Sequence, residues 1–477
     1  MATESPGVFA GFAAALRSAD YSARGVRSAI GSGAAVSVSP AEVPAVQSRL
    51  DRGSPRRTLI ELFLLGVEVP TPDAEAALAP MPLTSAITAG LIEPRGSVVR
   101  ARIRVLPYED LLVACDRDPE LDGRLEPDHV GGIHASSLLL ARITPRRRVE
   151  RALDIGCGCG IQALLLARHA REVVATDVNP RALDFGRLNA KLNGIENISW
   201  RLGDGVEPVR GERFDLVVSN PPYVIAPRPR FTFRESPLPG DAFCERLVRA
   251  VPGVLNDEGV ACLLASWIVA PGEPWPQRPE EWTVAGERGR LLLHVETVAA
   301  SDNAVRWAVP PGSISGATAA SLVREWLEYY CSNEIVSIAY GAVILHPSPA
   351  LTRVELAATP GPDAPAHVER IIDGHRLLGR GSRETMLDAV LELAPRHRLD
   401  WTLGAEDGSW QLRRSQLSIG GGLGLGVELD RATAQVLAKL DGRHTLRELL
   451  VDAPRDAPLD PLAELLRAGL IGVSATP

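Results

Sequence analysis

Two short stretches of this chain carry residue types and spacings suited to chemistry. The first is Asp154-Ile155-Gly156-Cys157-Gly158-Cys159-Gly160, which closes one apolar run and opens a helical one. Glycines at such a junction let the backbone approach a ligand more closely than any side chain allows. A dinucleotide fingerprint, Gly-x-Gly-x-x-Gly, needs its third glycine at position 161, where this chain has Ile161. The misfit argues for a nucleotide-like ligand without pyrophosphate. The second stretch is Asn220-Pro221-Pro222-Tyr223, at the end of the apolar run Phe214–Ser219. An amide or aromatic amine is a poor nucleophile because its lone pair is delocalised. The Asn220 side-chain oxygen and the Pro221 carbonyl can accept from the two N–H bonds of such a nitrogen and favour a more tetrahedral centre. The prolines fix the direction of these carbonyls, and Tyr223 offers a face on which a planar group can stack. A rigid turn after a strand is the plainer alternative for these four residues.

Asp177 closes a second apolar run roughly twenty residues past the first glycine, where an acid can accept from both hydroxyls of a ribose. It could instead cap the helix that starts near Pro180. Asn179 stands close enough to help enclose a base. Gly203-Asp204-Gly205 follows a third apolar run and reads, on its own, as a turn.

In this order, the glycine loop, Asp177 and Asn-Pro-Pro-Tyr resemble the class I S-adenosylmethionine-dependent N-methyltransferases. Within that class they are most similar to the HemK-like release-factor glutamine methyltransferases and the related small-domain rRNA guanine methyltransferases. The resemblance covers about residues 128–356. It implies an α/β, Rossmann-like sheet, mostly parallel with an antiparallel edge strand, and S-adenosylmethionine as methyl donor. It also implies a site: Asp154, Gly156, Gly158, Gly160, Asp177 and Asp204 on the cofactor, with Asp154 suited to its ammonium end and Asp204 near the adenine amino group. Asn220, Pro221, Pro222 and Tyr223 then stand at the transferred methyl. A helix within residues 129–141 should close the pocket with Ser136 and Ser137 as contacts, leaving His129 and His134 as surface or capping residues. The chain departs from the family in the arginine-rich stretch at residues 227–234, expected to form a substrate-side loop. Its arginines could grip a carboxylate or phosphate, or simply be solvated.

The elements that must position these residues fall into three regions. Residues 1–105 read as helices over 8–18, 41–52 and 55–65, then shorter segments and an extended stretch that resemble a winged helix-turn-helix. Residues 106–357 alternate strands and helices, as a parallel sheet covered on both faces requires. Strands are expected at 151–155, 172–177, 198–202, 214–219 and 259–267, with helices at 162–170, 180–193 and 241–255. Runs at 291–298 and 334–346 bracket a helix at 317–331 and could form the antiparallel edge. Residues 358–477 begin at a Pro/Ala-rich linker, 359–366. They include a glycine run, 420–426, that lacks the Lys-Ser/Thr of a phosphate loop and reads as a turn between strands. Three short helices at 429–440, 445–451 and 461–468 then resemble a second winged-helix module or the PqqD-type peptide-binding domain.

Composition narrows the partners. With 477 residues, 45% hydrophobic and 23% charged, this is ordinary globular material. A net charge of -8 argues against a general nucleic-acid binder, which carries a basic stripe. Lys191 and Lys439 are the only lysines, a bias read as coding composition. The six cysteines show no CxxC pair and no His partner at zinc spacing, so no metal is expected. No basic n-region precedes an apolar core, and no apolar run nears the ~20 residues that span a bilayer. The expectation is a cytoplasmic enzyme with no membrane partner. Its acceptor is expected to be a planar nitrogen, most readily a glutamine-type amide of a protein or peptide. The alternatives are an exocyclic amine of nucleic acid, rRNA before DNA, and tailoring of a peptide natural product.

Overall fold

The computed structural model describes residues 6–31, 38–123, 125–283, 288–310, 316–379, 383–406, 409–450 and 459–474. Its N-terminal region packs helices, among them Pro6–Ser18, Ala23–Ile30 and Pro55–Phe63, beside a three-stranded sheet of β1 (Val69–Pro70), β2 (Ile92–Arg95) and β3 (Val98–Ala101). The helix Ala23–Ile30 had no counterpart in the sequence reading. It is short and capped by Ser22, whose side chain accepts from the Gly25 amide. A hairpin of β4 (Arg104–Tyr108) and β5 (Leu111–Cys115) follows.

The centre is an eight-stranded sheet of β6 (Val149–Ile155), β7 (Ala170–Asp177), β8 (Ile198–Leu202), β9 (Phe214–Ser219), β10 (Leu255–Val269), β11 (Gly289–Ala299), β12 (Ser337–His346) and β13 (Leu351–Glu355). Their order is β13-β11-β12-β10-β9-β6-β7-β8. β6 to β10 run parallel, and apolar clusters cover both faces. One detail differs from expectation. The single reversed strand, β12, is not at the edge, because it pairs antiparallel with β10 on one side and β11 on the other, and β13 adds parallel to β11. Both of the expected late strands are therefore present. Periodicity marks a strand but carries no information about its neighbours, so position in the sheet was not legible.

The helix expected at 162–170 is only Ile161–Leu166, because Ala170 already begins β7. The expected linker at 359–366 likewise gives way to the helix Ala364–Gly379. That helix buries Ala364, Val368, Ile371 and Ile372 in the apolar layer on one sheet face, which outweighs its Pro/Ala-rich start. At roughly 2 kcal/mol per buried aliphatic side chain, this attachment is substantial. Beyond it lie β14 (Leu391–Leu393), β15 (His397–Glu406), β16 (Ser409–Ile419), β17 (Gly426–Glu428) and β18 (Ile471–Val473). The glycine run falls between β16 and β17, as the turn reading expected.

What this architecture does for function lies at one edge of the sheet. After β6 the chain winds outward through β7 and β8, then returns to place β9 on the other side of β6. Ligands of open α/β sheets bind at such a reversal, beyond the carboxyl ends of the strands.

Candidate active site

Register brings the expected residues to that edge. Asp154 lies opposite Ala175 on β7 and Val218 on β9, and Ile155 lies opposite Thr176 and Ser219. The Ser219 hydroxyl donates to the Ile155 carbonyl at 2.8 Å and ties the two strand ends together. A cavity of about 530 Å³ opens above them. It is lined by Asp154, Gly156, Gly158, Asp177, Asp204 and Asn220, among others. Among the described residues, none of those lining it is Lys or Arg, while Glu235 adds a fourth acid.

The glycine loop is built by backbone hydrogen bonds. Gly156 and Cys157 amides both donate to the Thr176 carbonyl at 2.9 Å, and the Gly158 amide donates to the Asp177 carboxylate at 2.8 Å. Gly156, Gly158 and Gly160 all have positive φ, at 69°, 54° and 83°. Their surroundings differ. A Cβ at Gly156 or Gly158 would meet no protein atom within 4 Å, so this backbone faces open cavity. At Gly160 it would sit 2.8 Å from the Trp200 ring and 3.2 Å from Gly186 Cα. Gly160 is absent from the cavity wall and permits close packing beneath the loop.

Three acids differ in environment. Asp154 is buried and accepts from the Ala163 amide at 3.0 Å; burial, with Asp177 nearby, pushes its carboxyl up to about 7. Asp177 accepts from the Gly158 and Asn179 amides, each at 2.8 Å, which offset part of the upward push of burial. It does not cap the following helix: Asn179 does, accepting from the Arg181 amide. Asp204 is half exposed and paired with Arg246 at 3.0 Å.

At the acceptor side, Asn220 Nδ2 donates to the Ser136 hydroxyl at 3.1 Å. Pro221 and Pro222 line the cavity, but Tyr223 does not. The Tyr223 ring packs edge-on against Tyr340 with centroids 6.0 Å apart, among three apolar clusters. The Tyr223 ring is engaged in this packing, and the aromatic side chains on the wall include Phe233, His129 and Phe243. Sequence reasoning missed Phe233 because nothing local marks a loop aromatic as pointing inward.

The arginine-rich stretch does form a loop at the cavity, contributing Pro229, Thr232 and Phe233 to its wall. Its tip reaches across to residue 127, where the Thr232 amide and hydroxyl both donate to the Pro127 carbonyl. Its arginines are neither free grips nor merely solvated. Arg228 and Arg230 both pair with Glu325, and Arg234 pairs with buried Glu235. The helix Gly316–Ser332, which carries Glu325, also supplies Tyr330, whose hydroxyl donates to the Ile225 carbonyl at 2.7 Å. Buried Asn189 binds the Ala114 amide and carbonyl and the Cys159 carbonyl, joining β5 to the glycine loop.

This geometry fits S-adenosylmethionine: open glycine backbone, an acid at each of the first two strand ends, and a lining that offers, among the described residues, no Lys or Arg to a phosphate. Comparison with known proteins agrees. Residues 131–235 match the methyltransferase small domain, and residues 18–102 match a domain of unknown function. A release factor glutamine methyltransferase of Xylella fastidiosa is 35% identical over 182 residues, covering 34% of this chain and 62% of the relative. A provisionally named protein N5-glutamine methyltransferase of Methanocaldococcus jannaschii is 31% identical over 158 residues, covering 31% of this chain and 78% of the relative. A ribosomal protein uL3 glutamine methyltransferase of Bradyrhizobium diazoefficiens is 30% identical, covering 34% of this chain and 54% of the relative. The chain thus belongs to the class I S-adenosylmethionine-dependent N-methyltransferases of the HemK type. It spans about three fifths of the length of the first curated relatives it matches.

Proposed function

We propose that this chain methylates a planar nitrogen, a glutamine-type amide of a protein or peptide. The observation that carries the reading is the meeting, at one cavity, of open glycine backbone with Asn220, whose amide is anchored through Nδ2 and whose Oδ1 has no protein donor among the described residues. When bound, S-adenosylmethionine supplies an electrophilic methyl on a sulfonium. Asn220 Oδ1 and the Pro221 carbonyl accept from the acceptor's two N–H bonds and hold its lone pair along the line of attack. No strong base is needed, because the nitrogen sheds its proton after the methyl arrives.

Asp177 serves the ribose hydroxyls, Asp154 the ammonium, Asp204 the adenine amino group, and the Gly156 and Gly158 backbone the main body of the donor. Gly160 acts through loop packing, and Tyr223 and Pro222 act through the shape of the turn. A cavity lining without Lys or Arg among the described residues supports an amide acceptor over an RNA amine, whose recognition leans on phosphate contacts. We read residues 106–357 as the catalytic unit, with 1–105 and 358–477 presenting the substrate or covering the site, in the cytoplasm. Among the described residues no helix is long and apolar enough to cross a membrane.

The test is transfer of labelled methyl from S-adenosylmethionine in a lysate treated with either ribonuclease or protease. Label that survives ribonuclease and is released by complete protein digestion as N-methylglutamine is the expected result. Relatives named for ribosomal RNA methylation make the competing outcome concrete, since one from Escherichia coli is 37% identical over 90 residues. Label lost to ribonuclease would favour that outcome.

A further inference from the structure

We infer that Asp116 is a positioning residue that fastens one wall of the cavity, residues 128–131, to the turn carrying Asp177, and so sets how long the cofactor stays bound. The inference rests on the placing of the donor against Gly156, Gly158 and Asp177 proposed above. A ligand filling the cavity meets the glycine loop and Asp177 on one wall, and His129, Val130 and Gly131 on another. The first wall is held by strand ends. The second has no such support, because residues 129–134 belong to no helix or strand. Its main-chain groups must find their partners elsewhere.

Asp116, the residue after β5, supplies two of them. Its amide donates to the Val130 carbonyl at 3.0 Å, and its carboxylate accepts from the Val130 amide at 2.7 Å. The segment is pressed against the same hairpin: a Cβ on Gly132 would lie 2.8 Å from Cys115 Sγ.

The carboxylate has a second partner. Arg181, in the first turn of the helix Pro180–Asn193, donates to both of its oxygens, at 2.6 and 2.9 Å. Arg181 also donates to the Asp128 carbonyl at 2.9 Å, where Asn179 Nδ2 joins it at 2.8 Å. The Asn179 amide in turn donates to Asp177. One carboxylate thus ties the wall segment to the turn 177–181, through a charge-assisted pair that uses both oxygens. Its side chain is only 16% exposed, so water competes poorly for it. The site needs an acceptor at each oxygen. An asparagine would turn an N–H toward either the Val130 amide or the guanidinium, and donor would face donor. For a bound ligand to leave, the wall segment and the turn must part, which breaks this fastening. Entry into the parted state does not require it.

The test uses S-adenosylhomocysteine and needs no acceptor. In stopped-flow binding, Asp116→Asn should release the ligand about tenfold faster, with the association rate held within about twofold. The double variant Asp116→Asn, Arg181→Gln should release it no more than about twofold faster than Asp116→Asn alone, because both changes remove one fastening. Hydrogen exchange read by mass spectrometry adds the location. In the ligand-bound Asp116→Asn protein, peptides over 128–134 should exchange faster than in the wild type, while those over 154–160 keep their protection. Should Asp116→Asn not fold, Arg181→Gln carries the same two measurements, since its side chain is 41% exposed.

A wild-type release rate in Asp116→Asn would overturn the inference. So would faster exchange over 154–160 in the ligand-free variant, which marks a general loosening of the fold. A wild-type protein in which the ligand gives no protection over 154–160 would instead overturn the placing of the donor.

Discussion

The two ends of the cavity are held by different kinds of structure. At the cofactor end, strand termini and main-chain hydrogen bonds do the work: Gly156, Cys157 and Gly158 are all anchored to Thr176 or Asp177 on the adjoining strand. At the acceptor end, side chains from distant segments fix the geometry. Ser136 lies 84 residues before Asn220, Tyr330 lies 105 residues after Ile225, and Glu325 lies 95 residues after Arg230. The contrast suits a shared donor and a variable acceptor. A backbone cradle changes only if the strands move, whereas a side-chain frame can be redrawn one substitution at a time.

The comparison can be broken first at Asn220. Asn220→Ala should lower turnover on the order of a hundredfold or more, the scale of removing one transition-state hydrogen-bond acceptor or donor. Binding of S-adenosylhomocysteine by calorimetry should change by less than about twofold. A comparable loss of cofactor affinity would mean that the two ends are not separate.

Asp177→Ala strikes the other end. It removes the anchor of the Gly158 amide along with the proposed ribose acceptor, so cofactor affinity should fall by about tenfold to a hundredfold. An affinity within a factor of two of wild type would end the ribose assignment.

The loop glycines should then separate by readout. Gly160→Ala should lower the thermal midpoint strongly, with a cost of about 2–3 kcal/mol, because strain at positive φ adds to a clash with Trp200. Gly158→Ala meets no protein atom, so it should pay only the positive-φ cost of about 1–2 kcal/mol and weaken ligand binding instead.

These differences mark what the sequence could convey. Asp154, the loop glycines, Asp177 and Asn220 were legible because each is tied to a strand end that apolar runs reveal. Five strands and the helix Pro180–Asn193 were placed by the same periodicity. Gly160 was legible as a glycine but not as a packing one, since Trp200 is 40 residues away and only the fold brings it near. The inward turn of Phe233, the packing of Tyr223 against Tyr340 and the capture of Arg228 and Arg230 by Glu325 depend on long-range contacts that no local pattern encodes. The interior position of β12 was hidden for the same reason.

A pH series sharpens the cofactor end further. Burial raises Asp154 to about 7 from its ordinary 3.8, so the folded state holds a proton that the unfolded chain has already lost between those values. Stability therefore falls as pH rises from about 4 to 7 and levels off above, by ~4 kcal/mol at most. Asp154→Asn should flatten that slope in thermal melts. If Asp154 faces the ammonium of the ligand, S-adenosylhomocysteine affinity should also drop about tenfold from pH 7.5 to 6 in the wild type and stay flat in Asp154→Asn.

The smallest effect is expected at the acceptor frame's outer support. Tyr330→Phe removes two buried hydrogen bonds, the one donated to the Ile225 carbonyl and the one accepted from Asn303 Nδ2, each worth about 1 kcal/mol. It should raise the acceptor's KM a few-fold in steady-state kinetics while cofactor affinity stays unchanged.

The most direct measurement is a crystal structure of the protein with S-adenosylhomocysteine bound. The account predicts the ligand's main body against Gly156 and Gly158, its ribose hydroxyls on Asp177, and its sulfur turned toward Asn220 Oδ1 and the Pro221 carbonyl. A ligand seated away from the glycine loop, or a sulfur pointing away from residues 220–221, would contradict it.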